Sequence, residues 1–210
     1  TAAQELIDSL ALPAQLVVAA ANSANDCTLA GTAAALATVE AALAELSMFY
    51  RRLDLDYAFH SVHMDGLEAP LHTALGSLAP TATTLPFYST VTGAALPGTA
   101  LDADYWWQNI RRPVAFEAAV AAAQADGINV WLELGPHPVL GAYLRRAAVT
   151  GLVLASLSRR DDAASALWRA GAQAIVAGAT PDWSGFFPRP RPPLALPNYA
   201  WQRKRYWHPV

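Results

Sequence analysis

The sequence predicts an α/β protein, and three features predict it. Compact apolar runs at 15–21, 129–134 and 151–157 have the length of buried strands, each with at least one valine. Alanine- and leucine-rich stretches at 32–46, 113–124 and 161–178 have the length and propensity of helices. Loops rich in glycine, proline and asparagine set them in a repeated strand, loop, helix rhythm, the pattern of a parallel layer with helices packed on it. A chain of 210 residues that is 54% hydrophobic and 15% charged has ample apolar side chain for a core, which excludes disorder.

From the N-terminus, residues 2–10 are expected to be helical, with Leu6 and Leu10 on one face and Pro13 beyond the end. Val17 and Val18 mark the strand at 15–21. Asn22, Ser23, Asn25 and Asp26 form a turn that returns the chain into a partner strand at 27–30, closed by Gly31. The helix at 32–46 follows, and the weak alternation at 51–55 predicts a third strand. Helix, strand, strand, helix, strand is the order of a ferredoxin-like βαββαβ unit without its first strand, here assigned to residues 1–55.

Residues 56–180 form the second unit. One helix is expected over 61–78, with Leu67, Leu71, Leu75 and Leu78 sharing a face. A strand follows at 85–92, with Pro86 at its entry, and Pro97-Gly98 marks a loop. Asp102 is the expected N-cap of a helix over 102–111. Pro113 suits the first turn of the next helix, which stops near Gly127. Gly135-Pro136-His137-Pro138 breaks the strand at 129–134 before a helix that ends near Arg146. The strand at 151–157 leads to the helix at 161–178, with Asp161 and Asp162 at the end its dipole favours. From residue 181 the chain becomes proline-rich and carries Trp183, Trp201, Tyr206 and Trp207. Residues 181–210 are therefore expected to be an extended linker that lies along a protein surface and buries its rings there.

The net charge of −3 offers no global basic field, so a nucleic-acid partner is not expected. The sole lysine, Lys204, sits near Arg189, Arg191, Arg203 and Arg205, making the tail basic and the body acidic. Cys27 is the only cysteine, which rules out an internal disulfide framework or a cysteine zinc site and fits a reducing cytoplasm. No continuous apolar run is long enough for a membrane span, and the chain does not open on a signal-peptide pattern.

His60 is the leading candidate for chemistry. It follows an expected strand end, where functional residues of open α/β sheets collect, and its near-neutral pKa suits proton transfer. His60, His63, Asp65 and His72 do not complete a recognised metal-ligand spacing, so no metal is expected. The chain offers no convincing serine on a tight Gly-x-Ser-x-Gly turn. Ser77 has only a preceding glycine, Ser184 lies in the proline-rich tail, and Ser61 adjoins His60 itself. Asp54 and Asp56 read as edge charges and His137 as a turn residue. Arg111 and Arg112 are either carboxylate ligands or solvated residues at a helix end.

Several segments together resemble one family. Tyr57-Ala58-Phe59-His60-Ser61, with Met64-Asp65 behind it, resembles the histidine motif of acyltransferase domains from modular type I polyketide synthases. Asp104-Tyr105-Trp106, leading through Asn109 to Arg112-Pro113-Val114-Ala115-Phe116, is similar to their next signature, and Glu133-Leu134-Gly135-Pro136-His137-Pro138-Val139-Leu140 to the third. Leu196-Pro197-Asn198-Tyr199-Ala200-Trp201, continuing to Trp207, resembles the linker that follows these domains. Ala20-Ala21-Asn22-Ser23 and Leu29-Ala30-Gly31 fit the family's small ferredoxin-like subdomain.

The resemblance implies the C-terminal part of an α/β-hydrolase-like large subdomain, the incomplete ferredoxin-like subdomain and the linker. It implies a serine that attacks an acyl-coenzyme A thioester, and transfer of the acyl group to the phosphopantetheine thiol of an acyl carrier protein. His60 would be the general base, with its ring held by the backbone carbonyl of Asn109. No cofactor would be bound. Tyr57 and Phe59 would set extender selectivity, with Phe59 favouring malonyl over methylmalonyl. The family's Gly-His-Ser-x-Gly-Glu nucleophile motif, its carboxylate-pairing arginine and its oxyanion-hole glutamine are not in this sequence. The serine is therefore expected outside it, the fragment alone is expected to be inactive, and the rest of the same acyltransferase is an expected partner. An adjacent ketosynthase-type domain is the expected contact of the linker. A non-catalytic docking element is the alternative.

Overall fold

The computed structural model describes residues 2–147, 149–189, 195–204, 206 and 207. It is an α/β fold, and its first layer forms around a hairpin. β1 (Leu16–Ser23) and β2 (Asp26–Gly31) pair antiparallel, with Leu16 opposite Gly31. A side chain at Gly31 would stand 2.1 Å from the Gln15 carbonyl, so glycine alone permits that approach. α1 (Ala2–Ser9) and α2 (Ala33–Glu45) then pack on the hairpin, and Thr32 caps α2 by accepting from the Ala35 N–H at 3.2 Å. Their inward residues make one core of Ile7, Leu16, Ala35 and Val39.

The third strand expected at 51–55 does not form. Leu53 and Leu55 are 45% and 57% exposed, so the alternation has no buried face to define a strand. Arg52 instead reaches back to Glu40 on α2 at 3.4 Å. The free edge of β1 is taken by an unanticipated strand, β3 (Val114–Ala115), which pairs parallel to it through Ala20 and Ala21.

The expected single helix over 61–78 is two. A 3₁₀ helix (Val62–Leu67) passes into α3 (Glu68–Leu75). Pro70 has no N–H to give to the Gly66 carbonyl, so one α-helix cannot run through this point. The strand expected at 85–92 is shorter and is half of a hairpin, β4 (Phe87–Ser89) against β5 (Ala94–Leu96). Gly93 turns that hairpin at φ +70, where an added side chain would meet Ala118 at 2.7 Å.

α4 (Ala103–Arg111) starts where its cap places it, with Asp102 accepting from the Tyr105 N–H at 2.8 Å. Pro113 does not open a helix: the next two residues are β3, and α5 begins only at Phe116 (Phe116–Ala125). α5 buries Ala119, Val120 and Ala123 and packs against β1, β4 and β5. β6 (Val130–Glu133) and β7 (Leu152–Ala155) run parallel, joined by a crossover through α6 (Gly141–Arg146). α7 (Ala163–Val176) packs on β7 and is capped by Asp162. Among the described residues, no helix is long and apolar enough to cross a membrane.

The tail contains one short helix, α8 (Trp183–Phe186), and is otherwise irregular where described. Its rings are not covered by the rest of this chain: Trp201, Tyr206 and Trp207 are 76%, 86% and 84% exposed. Two local ring contacts form within it, with Trp183 stacked on Phe187 and Tyr199 edge-on to Trp201. Arg191 and Arg205 lie outside the described residues.

Candidate active site

The loop before the 3₁₀ helix is short of regular structure but dense in hydrogen bonds. Ser61 is 1% exposed, and its hydroxyl donates to the Ala58 carbonyl at 2.6 Å while accepting from the His63 N–H at 3.2 Å. It thereby caps the 3₁₀ helix and closes a tight turn. The turn forces His60 into the left-handed region at φ +62. That conformation costs a residue with a Cβ about 1–2 kcal/mol, so it persists only because its surroundings hold it.

Those surroundings are the end of α4. The His60 N–H donates to the Ile110 carbonyl at 3.0 Å, and the ring Nδ1 lies 2.8 Å from the Arg112 carbonyl. A carbonyl can only accept, so Nδ1 carries the hydrogen of the neutral ring and Nε2 keeps its lone pair. Burial pushes the His60 pKa below the usual imidazole range, and the Arg112 hydrogen bond opposes that shift without reversing it. The result is a neutral imidazole at physiological pH with a single basic nitrogen, the state a general base requires.

The carbonyl on the ring is Arg112's, not Asn109's as the sequence led us to expect. Asn109 lies within the last turn of α4, where carbonyls point along the axis. Arg112 is the C-cap, extended at φ −83 and ψ 153, so its carbonyl leaves the axis and crosses to the histidine. Pro113 was the available signal, because a residue before proline is pushed out of the helical region.

Tyr57 and Phe59 stand beside the base. Their rings meet edge-on at 4.5 Å between centroids, Phe59 lies 6.1 Å from the His60 ring, and both are exposed. Arg111 is partly exposed, and its guanidinium is already paired, its Nε donating to Asp65 at 2.5 Å. Arg112 is exposed. His63 is exposed, and His72 Nε2 lies 3.4 Å from Asp104 where α3 meets α4, without a hydrogen bond between them. Among the described residues, no group of three His, Cys, Asp or Glu side chains is placed to hold a metal.

The serines weighed as nucleophiles are engaged or remote. Ser61 is committed to its turn, and Ser184 donates to Asp182 at 2.6 Å in the cap of α8. Ser77 follows α3 on the surface. The Glu133 to Leu140 motif has a structural explanation. The Glu133 carboxylate accepts the N–H groups of Val139, Leu140 and Gly141 at 2.7–3.1 Å, which folds the loop and caps α6. His137 sits in that loop, its Nδ1 3.5 Å from the Arg159 N–H, as a turn residue. A cleft of about 290 Å³ between β7 and α7, lined by Leu154, Ser158, Arg169 and Gln173 among others, includes none of the residues around His60.

Residues 2–180 match the family model described as the acyl transferase domain. The chain is 42% identical over 198 residues to polyketide synthase GfsB of Streptomyces halstedii, covering 92% of this chain and 4% of that protein. It is 35% identical over 199 residues to erythronolide synthase EryA2 of Saccharopolyspora erythraea, covering 92% of this chain and 6% of that one. Among solved structures, the acyltransferase domain from module 8 of the salinomycin polyketide synthase superposes with a TM-score of 0.80 at 30% identity, over 87% of this chain and 44% of that one. A malonyl CoA-acyl carrier protein transacylase from Clostridium perfringens shares the fold, with a TM-score of 0.71 at 17% identity, over 85% of this chain and 56% of that one. The chain thus spans less than a tenth of these curated relatives and under half of the salinomycin domain.

Proposed function

Because this chain belongs to the acyl transferase domain family, homologous to the acyltransferase domains of modular type I polyketide synthases, we propose that it carries the base of an acyl transfer from coenzyme A to an acyl carrier protein. The observation that supports this best is the His60 ring, with its Nδ1 committed to the Arg112 carbonyl and its Nε2 left basic. In the proposed reaction Nε2 takes the proton of a serine hydroxyl as the oxygen attacks the thioester carbonyl. The carbon–sulfur bond breaks and the coenzyme A thiolate leaves with a proton from the imidazolium. The phosphopantetheine thiol of the carrier protein then gives its proton to Nε2 and attacks the acyl-serine ester, and the serine oxygen recovers the proton. In this reading the serine comes from a segment outside these 210 residues, and Ser61, tied into its own turn, does not serve. No cofactor is required.

In this reading residues 56–180 are the C-terminal part of a hydrolase-like subdomain and residues 1–55 part of a ferredoxin-like one. Residues 181–210 are a linker whose exposed rings meet a neighbouring ketosynthase-type domain. The machinery works in the cytoplasm. Phe59 fills the space an α-methyl group needs, which favours malonyl over methylmalonyl by about 1–3 kcal/mol. The exposed tail aromatics also favour a docking role, which operates beside catalysis.

In the intact protein, His60→Ala should slow acyl loading from the coenzyme A ester by roughly 10²–10⁴-fold. Unchanged loading would leave the docking role as the whole function. Phe59→Ser should raise the use of methylmalonyl relative to malonyl in competition assays, and an unmoved ratio removes Phe59 as the gate.

A further inference from the structure

Three consecutive residues at the end of α4 hold the segment that carries His60, each through a different group. The Ile110 carbonyl takes the His60 N–H at 3.0 Å. The Arg112 carbonyl takes Nδ1 at 2.8 Å. Between them, the Arg111 guanidinium donates from Nε to Asp65 Oδ1 at 2.5 Å. Asp65 lies in the 3₁₀ helix that begins immediately after His60 and Ser61. The two carbonyls act on His60 itself, and hydrogen bonds to carbonyl oxygens tolerate a broad range of directions. Among the described residues, this side-chain pair is the one ion pair that joins the 3₁₀ helix to α4, just beyond the histidine. Its members are 29% and 57% exposed, so it contributes little to global stability.

We infer that Arg111 and Asp65 are a positioning pair for His60, which keeps the Arg112 carbonyl seated on Nδ1 and so keeps the lone pair on Nε2. The inference rests on His60 being the base of the transfer. Without the pair, the 3₁₀ helix is free to shift against the end of α4, and the ring is free to place its hydrogen on Nε2, where it no longer accepts a proton. Water also reaches the ring and relieves the burial that keeps it neutral. Other titratable groups on the elements around His60 do not replace the pair. Asp104, in the first turn of α4, faces His72 of α3 at 3.4 Å. Arg112 is exposed, as are His63 on the 3₁₀ helix and Asp56 and Tyr57 in the approaching loop.

The test is the pH–rate profile of acyl loading by the intact protein, using a malonyl-coenzyme A substrate. Asp65→Asn and Arg111→Met should each lower the high-pH plateau by about 10- to 100-fold, the scale of a small misplacement of a catalytic group. Both should also move the acidic inflexion to higher pH, towards an ordinary imidazole. Asp65→Glu, which keeps the carboxylate, should restore most of the plateau and the inflexion. A pair that serves only folding would lower the plateau and the melting temperature but leave the inflexion in place, and that result overturns the inference. Wild-type profiles in both Asp65→Asn and Arg111→Met overturn it as well. If His60→Ala slows loading in the same assay while these variants do not, the positioning role alone is lost. If His60→Ala has no effect, the reading of His60 fails and the positioning role fails with it.

Discussion

Ser61→Ala isolates what holds the histidine in its strained conformation. The hydroxyl removed makes a 2.6 Å bond to the Ala58 carbonyl and accepts a 3.2 Å bond from the His63 N–H, in a site 1% exposed to solvent. A buried hydrogen bond contributes about 1 kcal/mol, and a lost N-cap costs about 1 kcal/mol more. Water does not reach the site to replace either. The variant therefore loses about 2 kcal/mol from the turn, on the order of the 1–2 kcal/mol of strain that the turn imposes on His60. With the turn's contribution gone, the 1–2 kcal/mol of strain is no longer offset by it and favours relaxed conformations, so the active arrangement is populated about 5- to 30-fold less. Acyl loading measured as kcat/KM should fall by about that factor, with a fall in Tm of about 4–8 °C for a unit of this size. A variant with kcat/KM within about twofold of wild type would show that the two α4 carbonyls suffice to hold the ring, and would refute the reasoning.

Two further outcomes follow from other parts of the chain. Glu133→Gln keeps the shape of the side chain but turns one of its two accepting oxygens into a donor facing the N–H groups that start α6. Chemical denaturation should show a loss of about 2 kcal/mol, because hydrogen bonds to a charged acceptor are the stronger kind. The His60 pKa is lowered on folding, chiefly by burial, so the unfolded chain binds the proton more readily than the folded one. Its contribution to stability is complete above the unfolded value of about 6.5 and is lost as pH falls below it. Wild type should therefore lose more stability between pH 7 and pH 5 than His60→Gln does, and loading should persist to lower pH than an ordinary imidazole would allow.

Much of this was legible in residue order, wherever a local signal had a single structural meaning. Asp102 caps its helix as expected, and Thr32 and Asp162, read as helix residues, cap theirs for the same reason, since a short side-chain acceptor before a helical run has little else to satisfy. The parallel strands β6 and β7 were visible as apolar runs with a helix between them. What failed depended on partners distant in sequence. The alternation at 51–55 promised a strand, yet a strand exists only where a neighbour completes its ladder. The two residues of β3 were unreadable because their partner, β1, lies some ninety residues earlier. His60 was found from its motif, but its carbonyl was placed three residues too early in α4. The restriction that Pro113 imposes on Arg112 would have corrected that, since it fixes which carbonyl turns out of the helix.

The geometry also bears on whether this chain is a catalyst or only a docking element. A docking loop at φ +62 would accommodate glycine or asparagine at little cost, whereas histidine there carries strain. That strain is opposed by a buried serine, by two carbonyls from a helix about fifty residues away, and by the Arg111 guanidinium on Asp65. Ala11 and Ser47 share the left-handed conformation, and what sets His60 apart is that its ring as well as its backbone is held, a combination that suits a functional site. Its product is specific: one tautomer, a depressed pKa, and a basic nitrogen beside two exposed aromatic rings. The tail aromatics suit docking, but they make no comparable demand on the backbone. On the reading proposed above, catalysis accounts for the strained turn and docking for the exposed tail, so substitution at His60 should slow acyl loading and leave any docking by the tail intact.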